Sequence, residues 1–143
     1  MNSIFGLTVM LLVNFSQSAT FAGPAECDKA EITYKLNKNV NRLALQVCQN
    51  ELGQFYSANC KDGCEFKKLY LDKKIQESET ATQTPGAGIC NKIGFDSFIS
   101  DIKFKNLNIQ NIELCFNSDK SKLLSRAFLS DLARTLTKLQ KAK

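Results

Sequence analysis

Six cysteines, Cys27, Cys48, Cys60, Cys64, Cys90 and Cys115, restrict the folds open to this chain more than any other feature. An even number in a short exported chain reads as a disulfide framework; in a reducing compartment the same residues would read as metal ligands or redox groups. The compartment therefore decides their meaning, and the start of the chain bears on it. Residues 4–13, Ile-Phe-Gly-Leu-Thr-Val-Met-Leu-Leu-Val, form an apolar run of the length of a signal-peptide core. It is too short to span a bilayer, which takes about 20 apolar residues. Small residues at Thr20 and Ala22 place the expected cleavage between Ala22 and Gly23. Met1-Asn2-Ser3 lacks the Lys or Arg usual before such a core, so the amino terminus supplies the only positive charge there. Pro24-Ala25-Glu26 before Cys27 does not fit a lipid-attachment site.

The expected organisation is a removable signal peptide over residues 1–22 and a single disulfide-containing domain over 23–143, secreted or periplasmic. No segment after the leader is apolar enough to cross a membrane, so a soluble product is expected. The only Asn-x-Ser/Thr acceptor, Asn14-Phe15-Ser16, lies inside the leader, which sits more comfortably with a bacterial envelope than with a eukaryotic secretory route.

The formal net charge of +5 is unevenly spread. Residues 23–117 carry twelve Lys or Arg against twelve Asp or Glu, whereas residues 118–143 carry seven cations against Asp119 and Asp131. A neutral body with a basic C-terminal end is the main asymmetry of the sequence.

Residues 31–36 alternate apolar and polar as a strand does, and Asn37-Lys38-Asn39 is a turn signal. Residues 40–55 are ambiguous. Leu43, Leu45 and Val47 alternate like a strand, while Val40, Leu43, Ala44, Val47, Cys48, Leu52 and Phe55 also fit one helical face. The strand is preferred because Gly53 and the following Phe55-Tyr56 suit a strand–turn–strand. Residues 54–60 and 64–71 then read as hairpin arms around Lys61-Asp62-Gly63. Residues 75–88 are polar and aperiodic and read as a flexible loop. Residues 88–94 suggest one short helical turn closed by Gly94. From Phe98 to Phe116 the strand pattern is strong, with Lys105-Asn106 or Gln110-Asn111 as a turn or bulge. Residues 121–141 form the clearest helix, with Leu124, Phe128, Leu132, Leu136 and Leu139 three or four apart and Ser118 or Ser121 as cap. The expected fold class is α+β: a small, mainly antiparallel sheet covered by a long C-terminal helix and disulfide-bonded.

Sequence alone does not dictate the disulfide connectivity, but local geometry gives a preference. Cys60 and Cys64 flank a short tip, and a 31–36/43–48 hairpin carries Cys48 close to Cys27. Cys90 and Cys115 pair by elimination. Each bridge would contribute about 2–4 kcal/mol. A redox role for Cys60-x-x-x-Cys64 is disfavoured, because thiol oxidoreductases place Cys-x-x-Cys at a helix start. Zinc is disfavoured by the oxidising compartment and the absence of His.

With no His in the chain, Ser–His and Cys–His nucleophile systems are excluded. Ser100-Asp101-Ile102-Lys103 matches Ser-x-x-Lys, and Ser118-Asp119-Lys120 is a faint second element; the Lys-Thr-Gly of that enzyme class is missing, and the match is read as chance. Glu77 with Glu79, and Asp96 with Asp101, show no sign of a shared cleft. Pro85-Gly86-Ala87-Gly88 lacks the Lys-Ser/Thr of a phosphate loop and reads as a plain turn. No enzyme, cofactor or metal is expected. The expected function is an exported, non-enzymatic binding or structural module for a protein or glycan partner, with Phe55, Tyr56 or Tyr70 as contact aromatics if they are exposed. The alternative is binding of an anionic membrane surface or polyanion through the C-terminal helix, by Arg126, Arg134, Lys138, Lys141 and Lys143. Nucleic acid is disfavoured, because no aromatics interleave these cations.

Overall fold

The computed structural model describes residues 25–73 and 85–143. The expected signal peptide, and residues 75–84 of the expected loop, lie outside the described residues. Strands β1 (Glu26–Leu36) and β2 (Asn39–Gln49) form one long hairpin in unbroken register from Glu26↔Gln49 to Leu36↔Asn39. Its turn residues Asn37 and Lys38 both have positive φ, 50° and 69°, as a tight turn matching the strand twist requires. The ambiguity over residues 40–55 thus resolves to strand for Asn39–Gln49. A second hairpin pairs β4 (Asp96–Phe104) with β5 (Leu107–Phe116). Lys105-Asn106 makes its turn, and Gln110-Asn111 supplies the extra residue of a bulge opposite Asp101. Asn111 has φ 55° there, and its N–H donates to Asp101 Oδ1 at 3.0 Å.

These four strands do not form the open, helix-covered sheet expected from the sequence. They are closed into a six-stranded antiparallel barrel in the order β1-β2-β3-β6-β5-β4 by two short strands, β3 (Phe55–Ser57) and β6 (Leu123–Ser125). Paired positions run round the barrel as Cys27, Cys48, Tyr56, Leu124, Cys115 and Ser97. Continuing the β1–β4 register from Ser97 reaches Asn37, ten residues beyond Cys27, so the strands are strongly staggered. The β3–β6 contact pairs only Tyr56 with Leu124. On either side a serine hydroxyl replaces the ladder: Ser57 Oγ accepts from the Leu123 N–H at 2.7 Å, and Ser125 Oγ from the Phe55 N–H at 3.0 Å.

The barrel interior is filled. Ile32, Val47, Phe55, Ile102, Phe104, Leu114, Phe116 and Leu123 are wholly buried there. Phe55 meets Phe104 edge-on at 5.4 Å near one end of β4, and Tyr34, Phe98 and Phe116 cluster near the other. Among the described residues, three helices cover one side of the barrel. They are α1 (Cys64–Asp72), α2 (Pro85–Lys92) and α3 (Arg126–Lys141). Phe66 and Tyr70 of α1, Ile89 of α2, and Leu129, Ala133 and Leu136 of α3 pack with Cys48, Tyr56, Cys115 and Leu124 of the belt.

Other sequence expectations change here. The expected second hairpin does not exist, because residues 64–72 are helical, with Phe66 and Tyr70 stacked one turn apart on the buried face. Asp62-Gly63 leads into this helix. Gly63 has φ 96° and presses on α3, where an added Cβ would fall 2.5 Å from Leu132 Cδ2. Residues 85–88 open α2, with Pro85 at its first position, and Gly94 (φ 88°) follows it. The C-terminal helix starts at Arg126. Ser125, not Ser118 or Ser121, holds its N-cap position, and its hydroxyl serves β3 instead of the helix.

The disulfides join Cys27 to Cys48, Cys60 to Cys64 and Cys90 to Cys115, the pairs reached from spacing and elimination. The Cys60–Cys64 pair bridges the approach to α1 and its first residue, not hairpin arms.

Two tests follow from this packing. Ser57→Ala and Ser125→Ala each leave a buried N–H without its acceptor and are expected to lower the unfolding free energy by about 1–3 kcal/mol in urea titrations. The double variant should lose less than the sum, because both serve one seam. Changes below about 0.5 kcal/mol would mean that the seam is held by other contacts. Leu129→Ala is expected to cost about 2–5 kcal/mol. Leu139→Ala, at a side chain 60% exposed, should stay within about 0.5 kcal/mol; equal losses would contradict the observed face of α3.

Candidate functional site

The helices bury the belt at β3, β6 and β5 and leave the wall formed by β2, β1 and β4 facing solvent. Side chains alternate in and out along a strand, so the register fixes what this wall displays. One row runs Ala44, Glu31, Lys103 and the next Arg42, Thr33, Asp101. The third begins Val40, Lys35, and the β4 side chain at that level is Ile99. Thr33 is half-buried and the others are exposed.

Two shallow concavities mark the wall. One, of about 360 Å³, lies among Glu31, Thr33, Arg42, Leu43, Ala44 and Lys103. The other, of about 440 Å³, opens where two strands part. The β1–β4 pairing stops at Tyr34↔Ser100, while β4–β5 continues to Asp96↔Phe116 and β1–β2 to Leu36↔Asn39. Thr33, Lys35, Ile99 and Asp101 flank this gap, together with Tyr34 and Phe98, whose rings stack at 4.9 Å. Lys120 stands over the Phe98 ring at 5.8 Å and pairs with Asp96 at 3.5 Å.

Lys120 is carried there by the tight loop between β5 and β6. Asn117 shapes that loop by accepting the Lys122 N–H at 2.9 Å and donating to Glu65 and Ser121. In the same loop the Ser121 hydroxyl and backbone N–H donate to Asp119 and hold its carboxyl below the usual carboxylate range.

The wall offers hydrogen bonds, mixed charge and a few aliphatic side chains. It has no thiol, because all six cysteines are bridged. Among the described residues no group of three or more His, Cys, Asp and Glu is placed to hold a metal. Ser100 and Lys103 point to opposite sides of β4. Ser100 is buried with its hydroxyl on the Phe98 carbonyl, whereas Lys103 is on the outer wall, so Ser-x-x-Lys makes no catalytic pair. Asp101 is bonded to the bulge and Asp96 to Lys120, and the two make no cleft together. Glu77 and Glu79 lie outside the described residues.

The basic residues singled out on the C-terminal helix do not converge. Arg126 stands 3.6 Å from Glu113 at one end of α3, and Arg134 bonds Asp131 at 2.9 Å. Lys138, Lys141 and Lys143 are exposed at the other end. The apolar stripe that would face a lipid surface is turned to the barrel through Leu129, Ala133 and Leu136, with Phe128 and Leu132 half-buried beside them. No helix among the described residues is long and apolar enough to cross a membrane. Phe55, Tyr56 and Tyr70 are core residues and not contact aromatics. The wall itself does not stand out in the sequence; its signals there are the alternation of residues 31–36, of Leu43, Leu45 and Val47, and of the run that starts at Phe98.

Compared with protein-family models, curated proteins and solved structures, the chain matches none.

The Asp119 carboxylate makes acid stability testable. Its folded pKa lies below the unfolded one, so its contribution is present above the ordinary carboxylate value and is lost as pH falls through the folded value. Asp119→Asn is therefore expected to flatten the acid side of the Tm-against-pH curve and to leave little change in slope near neutrality. An unchanged acid limb would rule out the Ser121 contacts as its cause.

Proposed function

We propose that this chain is an exported, non-enzymatic binding module that holds its partner on the β2–β1–β4 wall. The observation that carries this reading is the one-sided distribution of the helices. The barrel interior is packed with side chains, the belt side is buried under α1–α3, and the remaining wall carries two shallow concavities together with exposed Val40 and Ile99. Recognition on such a wall proceeds by surface complementarity, with strands as a rigid support. Three disulfides in a small domain fit an oxidising compartment. Together with the apolar start of the chain they favour a secreted or periplasmic location.

The test is a photoreactive residue at Ala44 or Ile99, or at Thr135 or Gln140 on α3, in the full chain produced in an oxidising compartment. Adducts, read as added mass on the chain, are expected from the wall positions and not from the helix positions. Adducts confined to α3 would sink the proposal.

A further inference from the structure

The hairpin end of the wall carries a more specific assignment. Past Tyr34 on one side, and before Gln46 on the other, the β1–β2 hairpin pairs only with itself. Residues 35–40 therefore form the tip of a two-stranded ribbon with no strand beside it. Leu36 and Val40 are 39% and 56% exposed. They project from opposite faces. Leu36 shares the inward side of Ile32 and Tyr34, and Val40 lies beside Lys35 on the outward side.

Charge along this end of the hairpin is one-sided within its own two strands, and Arg42, two residues below the tip, faces Glu31 and Asp101 only across the wall. Lys35, Lys38 and Arg42 fall within eight residues, and no carboxylate occurs between Glu31 and Glu51. None of the three cations forms an ion pair among the described residues. Other cations of the barrel have acidic partners, as Lys120 has Asp96, Arg126 has Glu113 and Lys105 has Glu26, and on the wall itself Lys103 stands beside Glu31 in the register.

We infer that the β1–β2 tip docks on an anionic lipid surface, with Leu36 and Val40 entering the boundary region and Lys35, Lys38 and Arg42 meeting the headgroups. The inference deepens the reading of the wall as the contact face and rests on it. Two features select the occupant. Three unpaired cations call for an anionic partner. Apolar side chains on both faces of a ribbon call for a surrounding that closes on both faces, which a fluid lipid layer does and a folded protein pressed on one face does not. A second copy is disfavoured, because two such tips would repel.

The test uses the full chain with its disulfides intact and sedimentation with vesicles of phosphatidylcholine alone or mixed with phosphatidylglycerol. Binding is expected only to the phosphatidylglycerol vesicles and should weaken at high salt. The triple variant Lys35→Gln, Lys38→Gln, Arg42→Gln is expected to lose on the order of a hundredfold in partitioning. The α3 variant Lys138→Gln, Lys141→Gln should bind as the unaltered chain does. The chain contains no Trp, so Val40→Trp is a single reporter whose emission should shift to the blue on these vesicles, while Leu139→Trp should not move. Absence of binding by the unaltered chain, or equal losses in the hairpin and α3 variants, would overturn the inference. Photoadducts at Ala44 or Ile99 would still report on the wall in that event, because they form whatever the partner is.

Discussion

The barrel depends on a seam one residue pair wide. β1, β2, β4 and β5 supply long ladders, but the ring closes only where Tyr56 meets Leu124. A short ladder leaves backbone N–H groups without partners in a dry environment, and each such group costs more than an ordinary hydrogen bond contributes. Ser57 and Ser125 answer this from opposite strands, each lending its hydroxyl to the N–H on the other strand. Ser125 does so at the N-cap position of α3, so one residue ends the barrel and starts the helix that covers it.

Two of the three disulfides anchor on the belt that passes through this seam. Cys27 and Cys48 face each other at its start, and Cys115, next to the seam on β5, ties down α2 through Cys90. The third bridge, Cys60–Cys64, constrains the approach to α1, where Gly63 lets the backbone pass close to Leu132 of α3. Cross-links and buried helix contacts are thus concentrated on one side of the barrel. The wall is held from behind and stays open in front.

The legible parts of the fold were those with a long pattern. The alternation of residues 31–36 and of Leu43, Leu45 and Val47, and the run from Phe98 to Phe116, identify four strands whose partners are near in sequence. Barrel closure was not legible, because Phe55–Ser57 and Leu123–Ser125 are three residues each, too short to show a period, and are buried at every position. Helix α1 was hidden by Asp62-Gly63. A left-handed glycine suits a hairpin tip and a helix entry equally, and only tertiary packing of Phe66 and Tyr70 decides between them. The basic C-terminal helix was legible as a helix, but its buried face is centred on Leu129 and Ala133, one position round from the stripe read in the sequence. The exposed tip was not legible either, since its freedom follows from where the β1–β4 pairing ends.

The stagger of the strands has a consequence for how this fold can vary. A ring that advances ten residues in one circuit cannot hold both ends of its long hairpins: β1 flanks β4 as far as Phe104, at the β4–β5 turn, while the β1–β2 turn overhangs beyond Tyr34↔Ser100. This overhang is self-paired. Lengthening or trimming it by two residues on each arm keeps inward and outward positions in phase and leaves the ring's register untouched. The molecule therefore behaves as a fixed clasp with one adjustable tongue, and the reach of the cationic tip is a quantity that the rest of the chain does not constrain.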